Sequence, residues 1–219
     1  THRLRNPVNK RDMLALLMHA RHVTAGHAVP PPVRDEIVTF IVAGHETVAS
    51  GLTWAWHLLL SNPGQHRHLL DCATNTAEAQ GYARAVFEEA LRLYPPAWLI
   101  TRRSIEPDAL GSHSIPGAAL IIISPWVIHR DPQWWPDPES FNPERFLRED
   151  DARRLAYLPF GVGQRMCIGR EMALLEGALA LARIAERMEL TPLADKPVGR
   201  IASVTLRPAT HITAQARPR

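Results

Sequence analysis

A chain of 219 residues, 46% of them hydrophobic, is long enough for one large domain or two small ones and can bury a sizeable core. Its 25 Lys and Arg are interleaved with 22 Asp and Glu, so the formal charge of +3 is a weak excess and excludes the clustered positive footprint of a nucleic-acid binder. Two cysteines, Cys72 and Cys167, are too few and too far apart for a disulfide framework or a structural zinc site, which points to a reducing compartment.

The chain opens at Thr1 with neither an initiator methionine nor a signal-peptide pattern, and is expected to be a piece of something longer. Residues 11 to 21 carry the apolar spacing of an amphipathic helix, which ends in a loop holding Gly26 and Pro30. A long helix is expected over 33–60, spanning about 40 Å at a rise of about 1.5 Å per residue. The prolines stop just before it, Asp35 and Glu36 sit in its first turn where the dipole favours negative charge, and Ser61, Asn62, Pro63 and Gly64 close it. Its apolar stretch from Ile37 to Leu60 has nearly membrane-spanning length, but His45, Glu46, Thr47, Ser50, Thr53 and His57 interrupt it, so a buried helix of a non-membrane protein is the expectation.

A short helix over 64–72 and a longer one over 76–93 follow, the second broken by Tyr94, Pro95 and Pro96. The β-branched run from Ala118 to Ser124, behind the turn at Ile115, Pro116 and Gly117, reads as a strand with residues 97–105 as its partner. Nineteen prolines, many of them between 95 and 160, make 131–160 an ordered meander. A helix is expected over 170–188, then short strands and loops from Glu189. No repeat, low-complexity tract or linker breaks the sequence, and one continuous domain is expected.

The sharpest signal is the run Phe160, Gly161, Val162, Gly163, Gln164, Arg165, Met166, Cys167, Ile168, Gly169, with a helix opening directly behind it. A lone cysteine is usually a small buried hydrophobe, but these neighbours change the reading. The run resembles the haem-binding signature of the cytochrome P450 family: Phe, two residues, Gly, one residue, Arg, one residue, Cys, one residue, Gly. Phe160, Gly163, Arg165, Cys167 and Gly169 fill every fixed position. The resemblance implies that Cys167 is the thiolate ligand to the iron of haem b (iron protoporphyrin IX), a strong donor that favours O–O cleavage. The helix behind it offers a positive end and free N–H groups to the thiolate. Glycines let that backbone approach the sulfur, Arg165 offers a fork to a haem propionate, and Phe160 an apolar shield. Gly161 and Gly163 also begin a dinucleotide-type glycine pattern, but Met166 stands where the third glycine belongs and no clear βαβ context follows.

Inside the long helix, Ala43, Gly44, His45, Glu46 and Thr47 resemble the family's distal-helix motif. Gly44 and Ala43 lie three and four residues before Thr47, so the three share a face, and small residues beside a hydroxyl leave room for dioxygen. By the resemblance, Thr47 holds a water that delivers protons and Glu46 relays protons from solvent. Without it, the same residues read as a helix kink with a back-bonding threonine and a solvated Glu. Val48 departs from the family's usual Thr or Ser. His45 and Glu46 point in different directions and no histidine follows at a four-residue spacing, which argues against a metal pair.

Glu89 and Arg92 match the family's Glu, two residues, Arg motif and lie three apart on one helix face. Alone they could be a surface ion pair worth little. Pro143, Glu144, Arg145 and Phe146 resemble the family segment whose arginine completes a buried Glu-Arg-Arg triad, so Arg145 is expected to join them in a structural role. Arg103 stands where the family places a propionate-binding arginine, with Arg102 pointing the other way if this is a strand. His129 matches another position that can reach a propionate. The tripeptide His129, Arg130, Asp131 also mimics a kinase catalytic loop, but the Asn and the Asp-Phe-Gly that should follow are missing.

Four motifs in family order imply the C-terminal part of the cytochrome P450 fold, mainly α with small β-sheets, as a single partial domain over residues 1–219. Its parts are a distal helix 33–60, a Glu-x-x-Arg helix 76–93, a meander 131–160, the thiolate loop 160–169 and a proximal helix 170–188. The family's N-terminal half is missing from it. The implied activity is insertion of one oxygen atom from dioxygen into a small organic substrate, with electrons from a ferredoxin or flavodoxin-type donor and its reductase. That donor would dock near Arg165 and Arg170, and Pro96 to Ile100 would line the substrate pocket. Likeness to soluble bacterial members implies a cytoplasmic protein without nucleic-acid or membrane partners. Two other classes stay open: a haem-thiolate isomerase or peroxide-using enzyme, against which the intact Ala43–Thr47 motif argues, and an inactive fragment with a haem-binding imprint but no complete pocket.

Overall fold

The computed structural model describes residues 13–20, 31–73, 76–148, 155–193 and 197–219. In chain order they form α1 (Met13–Ala20), α2 (Pro31–Ser61), α3 (Pro63–Cys72), α4 (Thr76–Leu93), β1 (Ile100–Arg103), β2 (Asp108–Leu110), β3 (His113–Ile115), β4 (Leu120–Ile123) and α5 (Pro125–Ile128). Two 3-10 turns follow, Pro143–Phe146 and Gly163–Arg165, then α6 (Arg170–Arg187) and the strands β5 (Met188–Pro192), β6 (Arg200–Ala202), β7 (Leu206–Pro208) and β8 (Ala214–Pro218). The expected class, mainly helix with small sheets, is what the structure has: among the described residues every sheet is a two-stranded antiparallel pair. The expected loop holding Gly26 and Pro30 lies outside the described residues.

Several helices open on a proline, because a first-turn residue has no intrahelical partner for its N–H and proline's fixed φ is already helical. This moves the start of α2. Pro31 and Pro32 lie within its first turn, not before it, and no acidic residue falls there, so Asp35 and Glu36 sit further along than their sequence suggested. The chain comprises two units, Thr1–Glu46 and Thr47–Arg219, with the boundary inside α2. Among described elements, the first holds α1 and the opening turns of α2. The second holds the core and all that follows. None of the described helices is long and apolar enough to cross a membrane.

The core of the second unit forms where α4 and α6 lie against each other, with later turns of α2 joining them. Ala79, Ala83, Val86, Phe87 and Ala90 of α4 recur at helical spacing and bury against Leu174, Ala178, Leu181 and Ala185 of α6. Phe87 sits at the meeting point, almost fully buried, and two glycines make space for its ring. A Cβ on Gly51 of α2 would come within 3.0 Å of that ring, and a Cβ on Gly177 of α6 within 2.5 Å of it. Burying a ring of this size contributes about 1.5–3 kcal/mol.

Two backbone features place the site. β1 pairs with β4 as expected, from Ile100 opposite Ile123 to Arg103 opposite Leu120. The hairpin β6–β7 is fastened at Leu206: its N–H donates to the Pro96 carbonyl, and its carbonyl accepts from Ser50 Oγ (2.6 Å) and Trp54 Nε1 (3.1 Å) of α2. The hairpin β2–β3 was not anticipated, although Gly111 and Ser112 form the two-residue loop that Gly at positive φ favours (φ 58°).

Crowding at Phe87 gives a direct test. Gly177→Ala gains about 1 kcal/mol of helix propensity but forces a methyl into a rigid ring face, at a cost of about 1–3 kcal/mol. The expected result is a lowered Tm in thermal unfolding; a Tm at or above the parent's would show that the ring shifts freely.

Candidate functional site

A buried, densely hydrogen-bonded group lies at the end of α4. Glu89 and Arg92 are fully buried and three residues apart, and they form a two-pronged pair: Arg92 Nε donates to Glu89 Oε2 (2.7 Å) and Arg92 Nη2 to Glu89 Oε1 (2.8 Å). The remaining N–H groups of Arg92 reach into the meander. Nη1 donates to the carbonyls of His129 (2.8 Å) and Pro138 (2.7 Å), and Nη2 to that of Ser140 (3.1 Å). These five bonds match the five donors a guanidinium owns.

Arg145 completes the group. Its Nε lies 3.4 Å from Glu89 Oε1, and its Nη2 donates to the Asp137 carbonyl and to Ser140 Oγ, each at 2.9 Å. Glu89 Oε1 also accepts the backbone N–H of Asn142 (2.9 Å), whose own side chain caps the 3-10 turn carrying Arg145. Glu89, Arg92 and Arg145 therefore meet in space, although Arg145 lies far along the chain from the other two.

His129 is fully buried. Its Nδ1 lies 3.0 Å from the Arg92 carbonyl and its Nε2 accepts the N–H of Leu158 at 2.8 Å. Burial pushes its pKa down to about 3, so the ring is neutral. This corrects the expectation that His129 reaches a propionate: both ring nitrogens are already bonded to backbone, and the side chain has no exposed surface. Trp135 and Tyr157 close around it, ring centroids 6.1 and 5.5 Å away, and the Tyr157 hydroxyl donates to the Glu88 carbonyl. Sequence reasoning missed these two aromatics; the paired tryptophans inside a proline-rich stretch were the available signal.

The cysteine loop begins at the end of that tie. Gly161 N–H donates to the Leu158 carbonyl, Met166 N–H to that of Gly163, and Cys167 N–H to that of Phe160 (2.9 Å). Gly161 and Gly163 both have positive φ, 69° and 75°, which a side-chain-bearing residue adopts only with strain. Cys167 is exposed, and α6 opens three residues later behind Gly169, which has no side chain to cap it; the Arg170 N–H donates to the Cys167 carbonyl at 3.4 Å. A Cβ on Gly169 would already touch Cys167 Sγ at 3.8 Å, and one on Gly161 would touch Ile100 of β1 at 3.8 Å. Phe160 packs against the core, whereas Val162 (67% exposed), Met166 and Ile168 (87%) are presented outward beside the thiol.

An exposed thiol at a helix start, set among outward apolar side chains, fits a flat apolar prosthetic group carrying a metal. Arg165 is exposed, as is Arg103, whose Nη1 donates to the Ala118 carbonyl (2.8 Å). Ala43, Gly44 and Glu46 are exposed positions of α2 and Thr47 is half-buried on the same helix.

The family model described as Cytochrome P450 matches residues 2–212. Cyclooctatin synthase of Streptomyces melanosporofaciens is 41% identical over 198 residues, which are 84% of this chain and 43% of that protein. Cyclooctat-9-en-7-ol 5-monooxygenase of the same organism is 38% identical over 204 residues, covering 87% of this chain and 44% of that one. Among solved structures, a 6-coordinated cytochrome P450 from Thermus thermophilus superposes with a TM-score of 0.73 at 42% identity, covering 94% of this chain and 54% of the other. The chain spans about half the length of the relatives it matches.

Two measurements test the buried network. Arg92→Lys supplies three donors where five acceptors wait, and is expected to lower the unfolding free energy by about 3–5 kcal/mol in denaturant titration. His129 titrates near 6.5 when unfolded and about 3 when folded. The unfolded chain binds the extra proton between those values, so this group's contribution to stability is complete above pH 6.5 and is lost towards pH 3, at up to about 1.4 kcal/mol per pH unit. Denaturation midpoints across that range should fall less steeply in His129→Gln than in the parent.

Proposed function

Because the chain belongs to the cytochrome P450 family, we propose that it is the haem-binding part of a haem-thiolate monooxygenase. In this reading the protein inserts one oxygen atom from dioxygen into a small organic substrate, with electrons from a redox partner. The observation that carries the reading is the Cys167 loop: an exposed thiol, held by the Cys167 N–H bond to Phe160, at the start of α6. Haem b, when bound, would supply the dioxygen-activating iron, held by a thiolate ligand of the kind that favours O–O cleavage.

The chain's own residues take these roles. Cys167 would be the iron ligand and electron donor; α6 opens three residues after it, and the positive end of that helix favours negative charge there. Gly163 and Gly169 keep the approach to it open, and Phe160 covers one face. Arg165 and Arg103 offer exposed guanidiniums to the carboxylates of the cofactor. Thr47 is proposed to hold a water at its hydroxyl and Glu46 to pass protons to it, while Ala43 and Gly44 leave space beside them. These four assignments rest on the motif in α2. Glu89, Arg92 and Arg145 do no chemistry; arginine stays protonated, and the triad fixes the meander beneath the loop.

A ferredoxin or flavodoxin-type donor is proposed to dock where Arg165 and Arg170 give positive charge. The proposed location is the cytoplasm, on the resemblance to soluble bacterial members. A second reading, an inactive fragment, is favoured by the exposed apolar stripe of Met172, Leu175 and Leu179 on α6, which calls for a covering surface.

The carbon monoxide difference spectrum of the reduced, haem-reconstituted chain separates these readings. A red-shifted Soret band that disappears in Cys167→Ser supports thiolate ligation by Cys167. A chain that takes up no haem, or shows only the band of a protonated thiol or of histidine ligation, supports the fragment reading.

A further inference from the structure

We infer that His129 is a positioning residue for the thiolate loop, tying Leu158 to the backbone of Arg92 and thereby fixing where the turn leading to Cys167 begins. The inference rests on the haem-thiolate reading of Cys167 and deepens it.

The hydrogen-bond pattern fixes the chemical form of the ring. A backbone carbonyl only accepts, so the contact between Nδ1 and the Arg92 carbonyl requires a proton on Nδ1; a backbone N–H only donates, so Nε2 must be bare to receive Leu158. Neutral imidazole in this one tautomer satisfies both. Its anchor is rigid, because the clasp is reciprocal. The His129 side chain holds the Arg92 carbonyl while the Arg92 side chain, at 2.8 Å, holds the His129 carbonyl. Trp135 and Tyr157 leave the ring little freedom to turn.

Beyond the ring the path runs to the loop in two short steps. The Leu158 carbonyl accepts from Gly161, the first of the positive-φ glycines, and the Phe160 carbonyl accepts from Cys167 itself. The N–H of Leu158 is bonded to a side chain and not to a strand or helix partner, so this backbone tie at the entry to the loop depends on one imidazole nitrogen, beside the Tyr157 bond to Glu88 and the packing of Phe160. Removing that acceptor leaves a half-buried N–H unpaired and frees the turn that places the sulfur.

Two variants separate positioning from packing, measured on the haem-loaded protein. Gln ends near the former Nε2, where its carbonyl oxygen can accept from Leu158, whereas Asn ends near Nδ1, where it can donate to Arg92 but stops short of Leu158. His129→Gln should keep the thiolate band of the reduced carbon monoxide complex and slow amide exchange at Leu158. His129→Asn should shift a share of that band to the protonated-thiol position and speed Leu158 exchange roughly tenfold, as expected for one lost hydrogen bond. Equal behaviour of the two variants, or the reverse order, overturns the inference. Should both fail to fold, nitrogen NMR of the parent ring decides: a proton on Nδ1 with a bare Nε2 supports the tie, and any other form removes it. A parent without a thiolate band would sink the proposed function, while Leu158 exchange would still decide what His129 does.

Discussion

A guanidinium without exposed surface is tolerable only when every donor on it is met, and Arg92 meets that condition in full. Moving an ion out of water costs several kcal/mol even after relaxation. Here the carboxylate of Glu89 offsets the charge and three meander carbonyls take the remaining N–H groups. The arrangement is all-or-none. If residues 129–140 moved away, Arg92 would keep its carboxylate but lose three acceptors, so the meander has one position relative to α4 that the buried charge accepts.

That constraint turns an irregular segment into a platform. Residues 131–148 contain no strand and only a single 3-10 turn, so no ladder of backbone bonds holds them. Arg92 and Arg145 replace the ladder with bonds from side chains to main-chain oxygens, and Trp135 packs under Arg92 at 5.2 Å. The loop above is built differently. Its Val162, Met166 and Ile168 face outward, and two of its glycines adopt backbone angles that gain nothing from local propensity. A loop of that kind holds one shape only because its ends are fixed elsewhere: through Phe160 in the core, through the start of α6, and through the platform below.

What was legible in the sequence follows the range of each interaction. The helix α4, its Glu89 and Arg92 at three-residue spacing and the cysteine run are local patterns, and the structure has them within a residue or two of the expected limits. Arg145 became readable only through a family segment, since nothing local says that a 3-10 arginine returns to a helix more than fifty residues earlier. His129 was read towards a propionate because its burial is decided by distant partners: Trp135, Tyr157 and the Leu158 N–H. The fastening of Leu206 to Ser50 and Trp54 was invisible for a similar reason, as its acceptor is a main-chain carbonyl that every residue type carries.

The same fact explains how the constraint is shared out. At both fastening points a specific donor side chain seizes a backbone oxygen, so that bond constrains the type of the residue supplying the donor and not of the residue supplying the oxygen. Pro138 and Ser140 could be exchanged for others of compatible backbone without touching the bonds from Arg92, but Arg92 itself has no substitute with five donors in a plane. A segment can thus look irregular and weakly patterned in sequence and still be held in one conformation, because the information that fixes it is written in the helix it rests on.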